Sequence, residues 1–332
     1  MKIKIVILLL FGLNVWLFYL RDSKTDNKPF GYITVNTGGG QLGNQMFDIA
    51  ATLAYGWDHH LIPLFPGLNG SGNNLSHNRD RVFFRVDSVT SCPVPLTRYT
   101  VANTDFEKLP HGLKNVELDG GFFSWKYFDH HRQEIIDMFA PSESTVTTLR
   151  SKYKDLIASD KTVSIHVRTY SKIIHEKGSP FTGLTFFEEA MAKFPDDSLF
   201  VVFSDRIEWC KAKFKEKFPN KNLVFIEGND YVDEFYLMSL MKNHILSRST
   251  FSWWAAYLNR NPEKVVYVPV LYTGLKDQII SYLKKIPSFF GLGGEELFWL
   301  PEWKQISFRL EPYPEDIYSY GGESTSVYPL DK

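Results

Sequence analysis

Ser247-Arg248-Ser249-Thr250-Phe251-Ser252-Trp253-Trp254-Ala255-Ala256-Tyr257-Leu258 follows a short apolar run, His244-Ile245-Leu246. The run reads as a strand, and the small and aromatic residues after it suit a helix. A strand that closes in clustered hydroxyls and then opens a helix can hold an anion. The free N–H groups of the first turn, the helix dipole and the hydroxyls all converge there. The plainer reading is an N-capped helix with two tryptophans in the core.

Around this stretch the pattern is regular. Residues 162–166, 199–203, 223–226 and 265–268 read as strands, and residues 185–194, 207–218 and 232–242 as helices. This alternation predicts a parallel, doubly wound sheet. Ligands bind such sheets outside the carboxyl ends of the strands. Four polar clusters fall there: Arg168-Thr169-Tyr170-Ser171, Ser204-Asp205-Arg206, residues 227–233 and residues 247–252. They point to one shared cleft. Arg168 suits a phosphate, being always charged and able to bind with two donors. His166 lies two residues earlier on the same strand face. Asp233 or Glu234 can accept hydrogen bonds from a base edge such as guanine. No D-x-D occurs in the sequence. Without that acidic pair, and with an arginine offered, the expectation is metal-free stabilisation of a leaving diphosphate.

Upstream, Tyr32-Ile33-Thr34-Val35 reads as a strand and residues 49–55 as a helix. Between them lies Gly38-Gly39-Gly40-Gln41-Leu42-Gly43-Asn44-Gln45. Gly38, Gly40 and Gly43 satisfy G-x-G-x-x-G, and Asp58 lies near the expected acidic position, so the literal reading is an NAD-binding unit. The looser reading is a glycine-rich turn (Gly40, Gly43) that lets backbone approach a ligand, with Asn44 and Gln45 as hydrogen-bonding groups. Residues 79–89 and 98–101 read as strands. Residues 120–128 form an aromatic cluster suited to core packing or to sugar rings. His130 and His131 read as surface residues. A domain boundary is expected near Ser159-Asp160, and the stretch from Pro312 to Lys332 reads as loosely ordered.

Composition bounds the alternatives. The 332-residue chain is 44% hydrophobic and 16% aromatic, enough for a sizeable core in two domains. Its net charge of -1 offers no electrostatic case for nucleic acid. Cys92 and Cys210 make no disulfide framework or zinc motif, and their pairing stays open. Met1-Lys2-Ile3-Lys4 precedes an apolar run over residues 5–20 with aromatics at its far edge. That predicts an uncleaved signal-anchor, with a cleaved signal peptide as the alternative. Asn69 and Asn74 head N-x-[ST] sequons in a polar loop and read as N-glycosylation sites.

The motifs Gly39–Phe47, Ile165-His166-Val167-Arg168, Phe203-Ser204-Asp205 and Leu237-Met238-Ser239, with Ser249–Leu258, together resemble the α-1,2-fucosyltransferases of glycosyltransferase family 11. The likeness covers roughly residues 33–270. It implies an α/β, GT-B-like fold of two Rossmann-type lobes with the donor site in the C-terminal lobe. The expected division is an anchor (1–21), a stem (22–30), an acceptor-side lobe (31–158), a GDP-sugar lobe (159–285) and a tail (286–332). The resemblance implies GDP-β-L-fucose as donor, a galactose-containing glycan as acceptor and inversion at the anomeric carbon. It also implies no metal or other cofactor, and a single-pass type II Golgi membrane location. Arg168 would hold the β-phosphate, His166 and Glu234 (or Asp233) the guanosine, and Ser249, Thr250, Phe251 and Ser252 the pyrophosphate. The family pattern H-x-R-R-x-D is incomplete here, with Thr169 and Ser171 replacing the second arginine and the aspartate. That opens the alternative of a catalytically silent GDP-sugar or glycan binder. Glu176 is the first candidate for the base that deprotonates the acceptor, with His175 and Asp205 after it.

Overall fold

The computed structural model describes residues 31–88, 91–101, 106–169, 172, 181–271, 295–309 and 311–320. The predicted anchor and stem lie outside the described residues. Among the described residues no helix is long and apolar enough to cross a membrane.

The first half contains β1 (Gly31–Val35), α1 (Leu42–Asp58), β2 (Leu61–Pro63), α2 (Leu75–Arg81), β3 (Thr97–Thr100) and β4 (Val116–Asp119). Helices α3 (Arg132–Met138), α4 (Glu143–Lys152) and α5 (Lys154–Ala158) lead out of it. Its sheet has the order β2-β1-β4-β3 with every pair parallel. The second half runs β5 (Thr162–Val167), α6 (Leu184–Met191), β6 (Leu199–Ser204), α7 (Ile207–Lys217), β7 (Asn222–Phe225), α8 (Tyr231–Ser239), β8 (Asn243–Ile245), α9 (Thr250–Leu258), β9 (Val266–Leu271), α10 (Glu295–Phe298) and β10 (Lys304–Phe308). Its sheet has the order β10-β9-β8-β5-β6-β7, also parallel throughout. The parallel sheet of the second half is what the alternating pattern predicts, and the first half adds a second parallel sheet.

Strand β5 is buried along its whole length, as a central parallel strand covered on both faces must be. Its polar members are paired inside the protein. Ser164 bonds His244 Nδ1 at 2.7 Å, and Asn259 reaches the other ring nitrogen at 2.8 Å. Burial holds the His244 imidazole neutral, with its pKa lowered to about 3. From β5 the chain goes outward to β6 and β7, then returns to β8 on the other side. The β5/β8 seam is therefore the switch point of the sheet, where ligands of such folds sit.

Three expectations change. The described residues of the expected 79–89 strand, 79–88, contain no strand, because the sequence 75–81 closes a helix on its own backbone bonds. The segment expected as a tail instead supplies β10, the edge strand beside β9. Glu311 accepts from the N–H groups of Leu184 and Thr185, and Asp316 accepts from Trp209 Nε1, so residues 311–320 are held in place. Cys92 and Cys210 are free, and Cys210 is fully buried.

One apolar core joins the two halves. Trp253, Trp254 and Tyr257 of α9 are buried, and they pack on Phe47 of α1 and Phe128. Ring centroids are 4.7 Å apart for Phe47–Trp253 and 5.2 Å for Phe128–Trp254. The Trp253 indole donates to the Phe298 carbonyl at 2.7 Å. The aromatic half of the 247–258 stretch is therefore core, as the plainer reading expects.

Candidate donor cleft

At the carboxyl end of β5, Arg168 Nη1 contacts Asp205 Oδ2 at 2.9 Å. The other Asp205 oxygen accepts from the Thr169 backbone N–H and hydroxyl, both at 3.0 Å. Asp205 sits just beyond β6, so parallel pairing of β5 and β6 brings the two motifs side by side. Thr169 is fully buried. In the sequence it stands only as the residue replacing the second arginine. Here it fixes the carboxylate that aims Arg168. With three donors on it, Asp205 is an orienting group and is poorly placed to take a proton from an acceptor.

His166 lies on the same strand, and its Nδ1 is hydrogen-bonded to Ser247 Oγ at 2.8 Å across the β5/β8 seam. Burial lowers its pKa to about 3, so the ring is neutral. His166, Ser204, Asp205, Tyr231, Glu234 and Phe251 line a small pocket at the strand ends. Glu234 is almost wholly buried there, and desolvation raises its carboxyl to about 8, against a hydrogen bond from Asn229. Asp233, the alternative base-edge acceptor, is turned to another partner, since Arg81 donates to it at 2.5 Å. Asp230 caps α8, accepting from the Val232 N–H, and pairs with His77 at 3.0 Å. Helix α2 of the first half is thereby tied to α8 of the second.

The glycine-rich loop meets the start of α9 directly. A Cβ on Gly43 would lie 2.6 Å from the Thr250 carbonyl carbon and 2.8 Å from the Phe251 nitrogen. Thr250 donates to Asn44 Oδ1 at 2.8 Å. Gly40 has φ +86, a conformation that side chains rarely adopt, and its carbonyl accepts from Gln45. The dinucleotide reading of this loop is therefore corrected. Its approach is to the backbone of α9, and Asp58 lies at the far end of α1. Replacing Gly43 with alanine should cost about 1–3 kcal/mol of stability, because neither backbone can yield. Thermal unfolding of Gly43→Ala beside Gly39→Ala, whose added methyl meets nothing within 4 Å, checks this.

The hydroxyls of the α9 start are already engaged. Ser249 is the N-cap and accepts from the Phe251 N–H, while Ser252 is buried and donates back to the Ser249 carbonyl. What this turn offers a ligand is its backbone N–H groups and dipole rather than a row of free hydroxyls. Phe251 instead packs against His166 with its ring tilted, centroids 5.5 Å apart.

A polar chain that the sequence did not reveal links the loop to the cleft. Gln45 is fully buried, donates to the Asn73 carbonyl and accepts from Asn78 at 2.7 Å. Asn78 in turn accepts from the Tyr231 hydroxyl. The loop bearing both sequons is part of this bracing. Asn73 Nδ2 donates to the Gly38 carbonyl, Asn69 is held between Ser88 and Arg79, and Asn74 adopts a left-handed conformation at the start of α2. Glu176, His175 and Ser171 lie outside the described residues.

The model of the family described as Glycosyl transferase family 11 matches residues 100–278. The chain is 27% identical over 264 residues to an Alpha-1,2-colitosyltransferase of Escherichia coli, covering 69% of this chain and 89% of that protein. It is 25% identical over 312 residues to Galactoside alpha-(1,2)-fucosyltransferase 2 of Mus musculus, covering 88% and 83% respectively. Among solved structures, NodZ alpha-1,6-fucosyltransferase co-crystallised with GDP aligns over 71% of this chain and 95% of its own, at 11% identity and a TM-score of 0.48. One sequence expectation is overturned by these relatives. The Golgi type II location does not stand, because the likeness extends over most of an Escherichia coli enzyme, from a cell that has no Golgi.

Proposed function

Since the chain belongs to glycosyltransferase family 11 and is a glycosyltransferase, we propose that it transfers L-fucose from GDP-β-L-fucose to the 2-hydroxyl of a terminal galactose, with inversion and without a metal. The observation that carries this reading is the assembly at the β5/β8 switch point. Arg168 is aimed by Asp205, a neutral His166 is fixed by Ser247, and Glu234 is buried in the adjoining wall.

The chemistry follows from these groups. Breaking the bond between the sugar and the diphosphate leaves negative charge on the phosphate oxygens. A guanidinium held by Asp205, partly shielded from water, stabilises that charge without reorganising as it develops. The start of α9 adds its dipole from the opposite side of the cleft. In this reading Glu234 accepts from the N–H edge of guanine and Phe251 packs on the base; their shared place in the lining of one pocket supports it. His166, being neutral, offers a hydrogen bond without adding charge. The name of the Mus musculus relative supports fucose and the galactoside 2-linkage, and that of the Escherichia coli relative supports the α-1,2 linkage with a different sugar. The hydrogen bonds of Thr169 support an active enzyme over a silent binder, because they keep Asp205 and Arg168 in register in place of the missing arginine.

The test is a donor panel. GDP-fucose, GDP-colitose, GDP-mannose and UDP-galactose are offered with β-galactosides, with and without EDTA. Turnover with GDP-fucose that EDTA does not change is expected. GDP binding without turnover of any donor would favour the silent reading, and colitosyl transfer alone would reassign the sugar.

A further inference from the structure

Asp58 ends α1, and its two carboxylate oxygens are held by different imidazoles: His130 Nε2 at 2.8 Å and His131 Nε2 at 2.9 Å. One ligand atom from each of the three residues falls within 4.8 Å of the other two. All three side chains reach solvent, at 40%, 47% and 24% exposure. We propose that Asp58, His130 and His131 form a binding site for one divalent transition-metal cation of the zinc class, remote from the donor cleft.

Two imidazoles and one carboxylate are a ligand set that zinc accepts, with water completing a tetrahedron. Binding requires that the Nε2 protons leave or move to Nδ1, that the three side chains close in to zinc bonds of about 2 Å, and that the cation takes the place of the two hydrogen bonds. The last carbonyls of α1 carry partial negative charge, which favours a cation at this end of the helix. The residues are pre-positioned. Asp58 is fixed by its helix, and the turn that carries both histidines is fixed by Asp129. That carboxylate accepts from Arg132 at 2.7 Å and from Tyr257 of α9 at 3.1 Å. A cation would therefore pin the end of α1 to a turn that is already tied to the second half. Asp58 lies fifteen positions after Gly43 on the same helix, roughly 22 Å at 1.5 Å per residue, so the site is distinct from the one proposed for transfer.

The test uses the full chain, freed of metal with EDTA and dialysed. Zinc chloride is titrated calorimetrically, and cobalt(II) is followed by its visible absorption. Trp57, whose ring lies 5.2 Å from that of His131, serves as a fluorescence reporter of cobalt binding. We expect one equivalent of zinc, tetrahedral cobalt bands, quenching of Trp57 and a rise in Tm. The double change His130→Asn with His131→Asn should weaken zinc binding by more than about tenfold. The triple change His59→Asn, His60→Asn and His111→Asn, which alters the neighbouring histidines, should leave binding unchanged. Absence of stoichiometric binding by the wild-type chain would overturn the proposal. So would a double variant, folded by circular dichroism, that binds as well as wild type, or equal losses in both variants. None of these outcomes depends on transferase activity.

Discussion

Replacing Arg168 with alanine should lower kcat for transfer about 100- to 1000-fold, the usual cost of removing one preorganised donor to developing negative charge. The guanidinium is four-fifths shielded and held by Asp205 at 2.9 Å, so water cannot readily substitute for it. Lysine at this position keeps the charge but loses the planar fork, and should recover only part of the loss. Asp205→Asn should fall between wild type and Arg168→Ala, because Thr169 can no longer fix a charged partner that aims the arginine. Steady-state kinetics with circular dichroism as a folding control check the series. Near-normal kcat in Arg168→Ala would remove this residue from the reaction.

The second large effect concerns Glu234 and pH. Burial raises its carboxyl from the ordinary 4.5 to about 8, against Asn229 and helped by the nearby Asp230 and Asp233, with Lys152 opposing. Its cleft neighbours are His166, Asp205 and Tyr231. The free protein therefore holds Glu234 protonated at neutral pH. A guanine edge presents N–H donors and favours the carboxylate, so GDP binding should release a proton. Affinity should increase about tenfold per pH unit as pH rises toward 8 and level off above it. Glu234→Gln should bind GDP weakly with a flat profile. Calorimetry in buffers of differing ionisation enthalpy reads the proton directly, and no proton release at pH 7 would contradict the assignment. The sign for folding is the reverse. A folded-state pKa raised above the unfolded one gives stability that is fully present below about 4.5 and is lost as pH rises toward 8.

Much of this molecule is legible in its sequence because parallel strands carry a strong signal. The run Thr162-Val163-Ser164-Ile165-His166-Val167 is apolar enough to be central, and each polar strand end falls where parallel pairing gathers it. Other features depend on contacts far apart in the chain. Nothing local in Asn78 says that it bridges Gln45 and Tyr231, and nothing in Thr169 says that it serves Asp205. The glycine-rich loop misleads for a physical reason. Close backbone approach is what its glycines permit, and the sequence does not say whether the approaching group is a pyrophosphate or another helix. Here Gly43 meets Thr250. In the same way Asp233 and Glu234 are adjacent acids that only the fold separates, one facing Arg81 and the other the cleft. Residue 304–308 shows the reverse limit. A short strand after a Gly- and Pro-containing stretch gives little periodicity, and its place at the sheet edge is set by pairing with β9.

The central claim is that this cleft carries out inverting fucosyl transfer to a galactose 2-hydroxyl. The most direct measurement is the structure of the product. The chain is incubated with GDP-β-L-fucose and a β-galactoside in EDTA, and the isolated disaccharide unit is read by NMR. The prediction is a new α-anomeric fucose proton with a through-bond correlation to galactose C2. A β-linked fucose, attachment at another carbon, or GDP-fucose left intact after prolonged incubation would contradict it.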